Sequence, residues 1–193
     1  ITKRITTNLK GSRTMNIVLT TDHAGLEQIK KIETFLTEAG HTCINMAPTV
    51  FDANDDYPDL IYPAAKALAD GEAEMGIIMG GSGQGEAMVA NRVAGVRAAV
   101  YYGPAQATGA VDANGSAPED EYEIVRLSRQ HNNANMLSLA ARFLTDEEIE
   151  KAVTLWLATP FTGEARHERR INKIDSQGKE NKGGSCLSYR NRR

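Results

Sequence analysis

The chain has 193 residues, 41% of them hydrophobic and 24% charged, with a net charge of −3. That is one domain of ordinary size with material for a sizeable core; the charge does not favour nucleic acid, and no apolar run reaches membrane-spanning length. Two cysteines, Cys43 and Cys186, and four histidines form neither a disulfide framework nor a zinc-type spacing. With no apolar leader among the first residues, the expectation is a reduced, cytoplasmic protein without a metal.

Residues 1–14 lack periodicity and read as an extension ahead of Met15. Asn16 to Thr20 is the first predicted strand, running into a polar turn, Thr21-Asp22-His23-Ala24-Gly25. A helix is expected from about Leu26 to Ala39, with Ile29, Ile32, Phe35 and Leu36 at helical spacing and Gly40 as its stop. Thr42 to Met46 supplies a second strand, followed by an acidic loop from Asp52 to Asp56 and a Tyr57-Pro58 turn. The next predicted helix spans about Ile61 to Ala69 and ends at Asp70-Gly71.

The central stretch is Gly76 to Asn91. Ile77, Ile78 and Met79 form the short apolar run of a strand covered on both faces. Gly80, Gly81, Gly83 and Gly85 then allow a tight turn that brings backbone N–H groups close to a ligand. A helix is predicted from Ala87 to Val93. Such a donor-lined turn suits a phosphate or a developing oxyanion. It is not a dinucleotide fingerprint, because Glu86 stands where the third glycine belongs, and it is not a P-loop, because it holds no lysine. Gln84 breaks the nucleophile-elbow pattern. What remains is one hydroxyl, Ser82, and one acid, Glu86.

Gly95 to Tyr102 reads as strand four. The small, polar and acidic run Gly109–Glu121 looks like a surface loop inserted into a helical region. The helix resumes near Tyr122 and closes at His131-Asn132-Asn133-Ala134-Asn135. Met136 to Leu139 is a fifth strand, ending at Ala140-Ala141-Arg142. Thr145-Asp146-Glu147-Glu148 has the form of a capping box, with its helix running to about Ala158. Arg166-His167-Glu168-Arg169-Arg170 is a basic cluster in a further helix, and 176–193 is polar and expected to be flexible. Strands alternating with helices predict an α/β fold, a Rossmann-like parallel five-stranded sheet flanked by helices on both faces, with its ligand site beyond the strand carboxyl ends. Asp22, His23 and the glycine loop fall at such ends.

Six separated segments also occur in the order of one family: Thr21–Gly25, Asp56-Tyr57-Pro58, Gly81–Glu86, Ala90-Asn91-Arg92, Arg129–Asn135 and Arg166–Arg170. The chain resembles the type B ribose-5-phosphate isomerases and the related galactose-6-phosphate isomerase subunits. The likeness covers about Met15 to Ile174 except the 109–121 insertion, which divides the chain into an extension (1–14), an isomerase domain (15–174) and a tail (175–193). It implies a cofactor-free aldose–ketose isomerase, a homodimer or homotetramer with active sites shared between subunits, acting on a small sugar phosphate with no nucleic-acid or membrane partner. Ribose 5-phosphate is the first expectation. The alternatives are a six-carbon aldose 6-phosphate of the allose or galactose type, or a non-catalytic sugar-phosphate-binding module.

Many family members carry a cysteine base just before the loop. Here that position is Gly80, so the chain looks like the branch that uses a glutamate, Glu86. Aldose–ketose isomerisation needs a base that moves a carbon-bound proton to the neighbouring carbon, and a partly desolvated carboxylate serves. The resemblance implies Ser82 as a proton relay between O1 and O2, His131 and Asp22 in ring opening, and Asn132 at the sugar hydroxyls. It places Gly81, Gly83, Gln84 and Gly85 in the cradle, and Arg142, Arg166 and Arg170, assisted by His23, on the phosphate. Arginine forks suit that dianion, and the spacing of Arg166 and Arg170 puts both on one helix face. Each residue also has a plainer role open to it. Asp22 would cap the first helix, and His131 would end one where the dipole favours it; Glu86 would complement a helix start, and the basic cluster would be a solvated helix end.

Overall fold

The structure, a computed structural model, describes residues 13–180, with side chains to 176. The predicted extension therefore lies outside the described residues up to position 12, as does the predicted tail from 181 onward, including Cys186. The elements are β1 (Asn16–Thr21), a 3-10 turn (His23–Gly25), α1 (Leu26–Glu38), β2 (Thr42–Asn45), α2 (Tyr57–Ala69), β3 (Met75–Gly80), α3 (Gln84–Ala90), β4 (Ala98–Tyr101), α4 (Glu123–Gln130), β5 (Met136–Ala140), α5 (Asp146–Ala158) and α6 (Ala165–Glu180). All neighbouring strands pair in parallel, in the order β2-β1-β3-β5-β4. The chain leaves β1 toward β2 and returns to add β3 on its other side, so the switch point lies between β1 and β3.

Every residue of β3 and β5 is buried, as continuous apolar runs demand of strands covered on both faces. Successive side chains of the central strands separate onto two cores. Ile17, Leu19, Ile77, Met79, Leu137 and Leu139 pack with Ile29 and Leu36 of α1 and Val153 and Trp156 of α5. Val18, Ile78 and Met136 face Ile61, Ala64, Ala65 and Leu68 of α2 and Ala90 of α3. Helices thus cover both faces, and the edge strands β2 and β4 are only partly buried. No helix among the described residues is long and apolar enough to cross a membrane.

Several boundaries differ from the sequence reading. Tyr57-Pro58 opens α2 rather than forming a turn before it, because proline in a first helical turn lacks only an N–H that would go unpaired there. α3 starts at Gln84, immediately after Gly83 takes the left-handed conformation with φ 72°, and not at Ala87. β4 begins at Ala98, where the Asn91 amide supplies the strand-start hydrogen bonds: Ala98 N donates to Asn91 Oδ1 at 2.8 Å and Asn91 Nδ2 to Ala98 O at 3.0 Å. The insertion is not preceded by a helix; the chain is irregular from Tyr102 through Tyr122. It is fastened by Ala105 N to Glu121 O (2.7 Å) and, at its tip, by the Asp112 carboxylate accepting from Asn114 N, Ser116 N and Ser116 Oγ. At its base the buried Arg126 binds Asp120 through both terminal nitrogens, which holds that carboxyl down to about 2. The capping box forms as expected: Glu148 N donates to Thr145 Oγ1 and Thr145 N to Glu148 Oε2. α6 continues to Glu180, past the predicted tail boundary at 175.

Candidate active site

Three strand ends converge on one cleft. Asp22 and His23 follow β1, the glycine loop follows β3, and Arg142 follows β5. Ala141 N to Gly80 O (2.9 Å) and Arg142 N to Gly81 O (3.2 Å) knit the last two together. The cleft encloses about 590 Å³ and is lined by Asp22, His23, Gly81, Ser82, Gly85, Glu86 and Arg142, together with Tyr57 and Phe143.

Glu86 is 4% exposed. Its carboxyl lies over the Cα of Gly80, where a methyl group built on that glycine would overlap it. A side chain at position 80 would therefore displace the Glu86 carboxyl from where it lies. Burial pushes the Glu86 carboxyl above the usual carboxylate value; its own backbone N–H opposes this and the negative charge of Asp22 adds to it. Asp22, 7% exposed, caps the 3-10 turn by accepting from Ala24 N at 2.9 Å. The plainer role is thus real and coexists with a place in the cleft.

His23 is held by a residue absent from the sequence reading. Asp55 accepts from the His23 backbone N–H at 2.8 Å and pairs with Nδ1 at 2.6 Å. That hydrogen bond is the main cause raising the imidazole above its ordinary value, with burial and the Arg142 charge opposing and the Asp22 and Asp55 charges assisting. Arg142 is the fixed cation of this corner, and the ring of His23 stands beside it with Asp55 on its Nδ1. Asp22, His23 and Asp55 also bring ligand-type atoms within 4.8 Å of one another; Asp55 is engaged with His23, and Asp22 with the turn. Two further contacts went unassigned in the sequence. The Tyr57 ring lies against Gly85, leaving a Cβ there only 2.7 Å from Cζ, and Phe51 meets His23 edge-on at 5.8 Å.

The loop residues divide. Ser82 lines the cleft and accepts from Gln84 N at 3.4 Å. Gly81 has the Arg142 guanidinium against it, 3.3 Å from where a Cβ would stand. Gly83 is buried and turns the chain, its carbonyl accepting from Ser138 Oγ at 2.6 Å. Gln84 is exposed and borders a separate groove between α3 and β4.

His131, Asn132, Arg166 and Arg170 do not line the cleft. α4 runs back across the sheet, so its end and the following loop lie at the amino ends of the strands, where Asn135 N and Met136 N donate to Arg97 O and Gly76 N donates to Asn135 O. Roughly 15 Å of strand separates that edge from the carboxyl ends. There the His131 ring stacks on His167, 4.3 Å between centroids and 12° between planes. Arg166 pairs with Glu164 at 2.7 Å, and Arg170 is exposed one helical turn on. These four residues therefore lie at the opposite edge of the sheet from the cleft.

Comparison with known proteins identifies the family and agrees with the fold. The model of the Ribose/Galactose Isomerase family matches residues 17–118 and 115–174. A probable ribose-5-phosphate isomerase B of Mycoplasma genitalium is 38% identical over 86% of this chain and 97% of its own length. Ribose-5-phosphate isomerase B of Mycolicibacterium paratuberculosis is 33% identical over 82% and 88%. Among solved structures, the Mycoplasma genitalium enzyme with bound ribulose-5-phosphate superposes with a TM-score of 0.73 at 37% identity, covering 86% of this chain and 97% of that one. The Thermotoga maritima enzyme gives 0.71 at 34% identity, over 85% and 99%. With its parallel sheet, its glycine loop and its matched length, this chain belongs to the ribose/galactose isomerase family.

Proposed function

We propose that the chain is a cofactor-independent aldose–ketose isomerase that interconverts ribose 5-phosphate and ribulose 5-phosphate. The observation that carries the reading is the Glu86 carboxyl, buried at the floor of an open cleft and raised toward the pH at which a carboxylate is an effective base. Glu86 takes the proton from C2 of the open aldose and returns it to C1. The intermediate is a cis-enediolate whose charge the loop N–H groups stabilise, with Ser82 moving the hydroxyl proton between O1 and O2. Arg142 and His23 form a cationic corner for the phosphate. The insertion does not line the cleft, so the cleft is free to admit a substrate.

The opposite edge of the sheet supports a two-fold dimer in which His131, Asn132, Arg166 and Arg170 of each copy complete the cleft of the other. In that arrangement Asp22 and the incoming His131 open the furanose, Asn132 binds the sugar hydroxyls, and Arg166 and Arg170 close on the phosphate with paired N–H donors. The half-buried free thiol of Cys43 suits a reducing, cytoplasmic setting. The test is turnover of ribose 5-phosphate beside six-carbon aldose 6-phosphates, together with wash-in of solvent deuterium at the transferred position. Activity on the pentose with exchange is expected. Binding without exchange overturns the enzymatic reading.

A further inference from the structure

His167 has no part in the reaction just described, yet it is 4% exposed and its Nε2 has no hydrogen-bond partner among the described residues. The nearest acid, Glu164 Oε1, is 3.8 Å away, beyond hydrogen-bond reach. A buried imidazole with an unpaired nitrogen is costly, and an apolar side chain would fill the space without that cost. The contact the ring does make is the parallel stack on His131. Both elements that meet there are clamped. Thr162 donates to Gln130 O at the end of α4 through its backbone N (3.3 Å) and its hydroxyl (2.8 Å), and His167 N donates to Glu164 O at 2.8 Å. Ile171, one turn on, is buried, and Arg97 reaches Asp175 at 3.7 Å. Burial, followed by the charges of His131 and Arg166, pushes His167 below its ordinary imidazole value, with Glu164 opposing and Arg170 adding to the effect. The charged form of the ring is thus disfavoured beside a neighbour that, in the proposed reaction, binds and releases a proton.

We infer that His167 is a positioning residue for His131, fixing by its stack the plane of the imidazole that opens the sugar ring. This rests on the ring-opening role proposed for His131, and the experiment separates the two. Ribose 5-phosphate arrives as a furanose and must be opened. Ribulose 5-phosphate, its C5 hydroxyl esterified, is open-chain, so exchange of its C1 proton with solvent needs the Glu86 step alone. In His167→Leu, kcat from ribose 5-phosphate is expected to fall about 10- to 100-fold, the cost of a misplaced catalytic group. Deuterium exchange into C1 of ribulose 5-phosphate should stay within about twofold of the parent enzyme. His167→Phe, which keeps a flat ring in the stack, is expected to recover most of the lost rate. An equal loss in both assays, no loss in His167→Leu, or a His167→Phe enzyme no better than His167→Leu overturns the inference. Absence of exchange in the parent enzyme instead overturns the isomerase reading.

Discussion

The two edges of the sheet are built in opposite ways. At the carboxyl ends of β1, β3 and β5 the polar groups are buried or partly buried and each is held in place: Glu86 over Gly80, Asp22 in its cap, His23 clamped by Asp55. At the amino edge the groups are mostly exposed and cationic, carried by the end of α4 and the first turns of α6. In the proposed reaction the first edge supplies the base and one phosphate corner but not His131, and the second supplies His131 and two arginines that do not line the cleft. Proton abstraction needs a desolvated, immobile carboxylate, whereas gripping a dianion needs long donors that reach outward. That division is what a second copy of the chain would reconcile.

Breaking the base should have the largest effect. Glu86→Gln is expected to lower kcat by about 10²- to 10⁴-fold, the usual contribution of a general base, with deuterium exchange lost in parallel. The sign of its stability change is opposite. Because the folded state raises the Glu86 value, ionising that carboxyl costs stability, a cost absent at pH below the unfolded value and fully felt above the folded one. Thermal melts at neutral pH should therefore find Glu86→Gln at least as stable as the parent.

Removing the outward half comes next. Arg166→Ala with Arg170→Ala should lower kcat/KM by about 10²-fold or more, since each charge-assisted contact contributes about 1.5–3 kcal/mol. Mixing that variant with Glu86→Gln through unfolding and refolding tests the sharing directly. Half of the random dimers are hybrids with one intact site of two, so about a quarter of parental activity should return. No recovery would mean that each chain works alone. Gly80→Ala is expected to cost about 10- to 100-fold in kcat by displacing the Glu86 carboxyl while leaving the fold intact, measured by steady-state kinetics beside circular dichroism. The smallest effect is a displacement of a pH profile, read in C1 exchange of open-chain ribulose 5-phosphate, where ring opening plays no part: Asp22→Asn removes a negative charge that raises Glu86, so the acidic limb of the exchange rate should move to lower pH.

Much of this architecture is legible in the residues. The short runs at Ile17-Val18-Leu19, Ile77-Ile78-Met79 and Met136–Leu139 read as strands covered on both faces, and their alternation with helical patterns points to a parallel sheet and to the end at which Asp22 and Glu86 meet. Boundaries that depend on context are less so. Pro58 suits a turn or a first helical turn equally, and the start of α3 was decided by the left-handed Gly83. Asp55 was hidden in an acidic loop because its partner His23 lies 32 residues away, and no local pattern reports such a pairing. His167 was masked by the arginines beside it. The separation of His131 from Glu86 follows from the direction of α4, which becomes visible only when the helix is laid against the sheet.

The bare Cα of Gly80 beneath Glu86 also sets what can poison this centre. An oxygen acid is not oxidised by peroxide, as a thiolate in that place would be. The thiol on β2, Cys43, is half-buried, raised chiefly by burial, and outside the cleft. Turnover of this chain should accordingly persist under oxidative conditions that silence a cysteine-based relative.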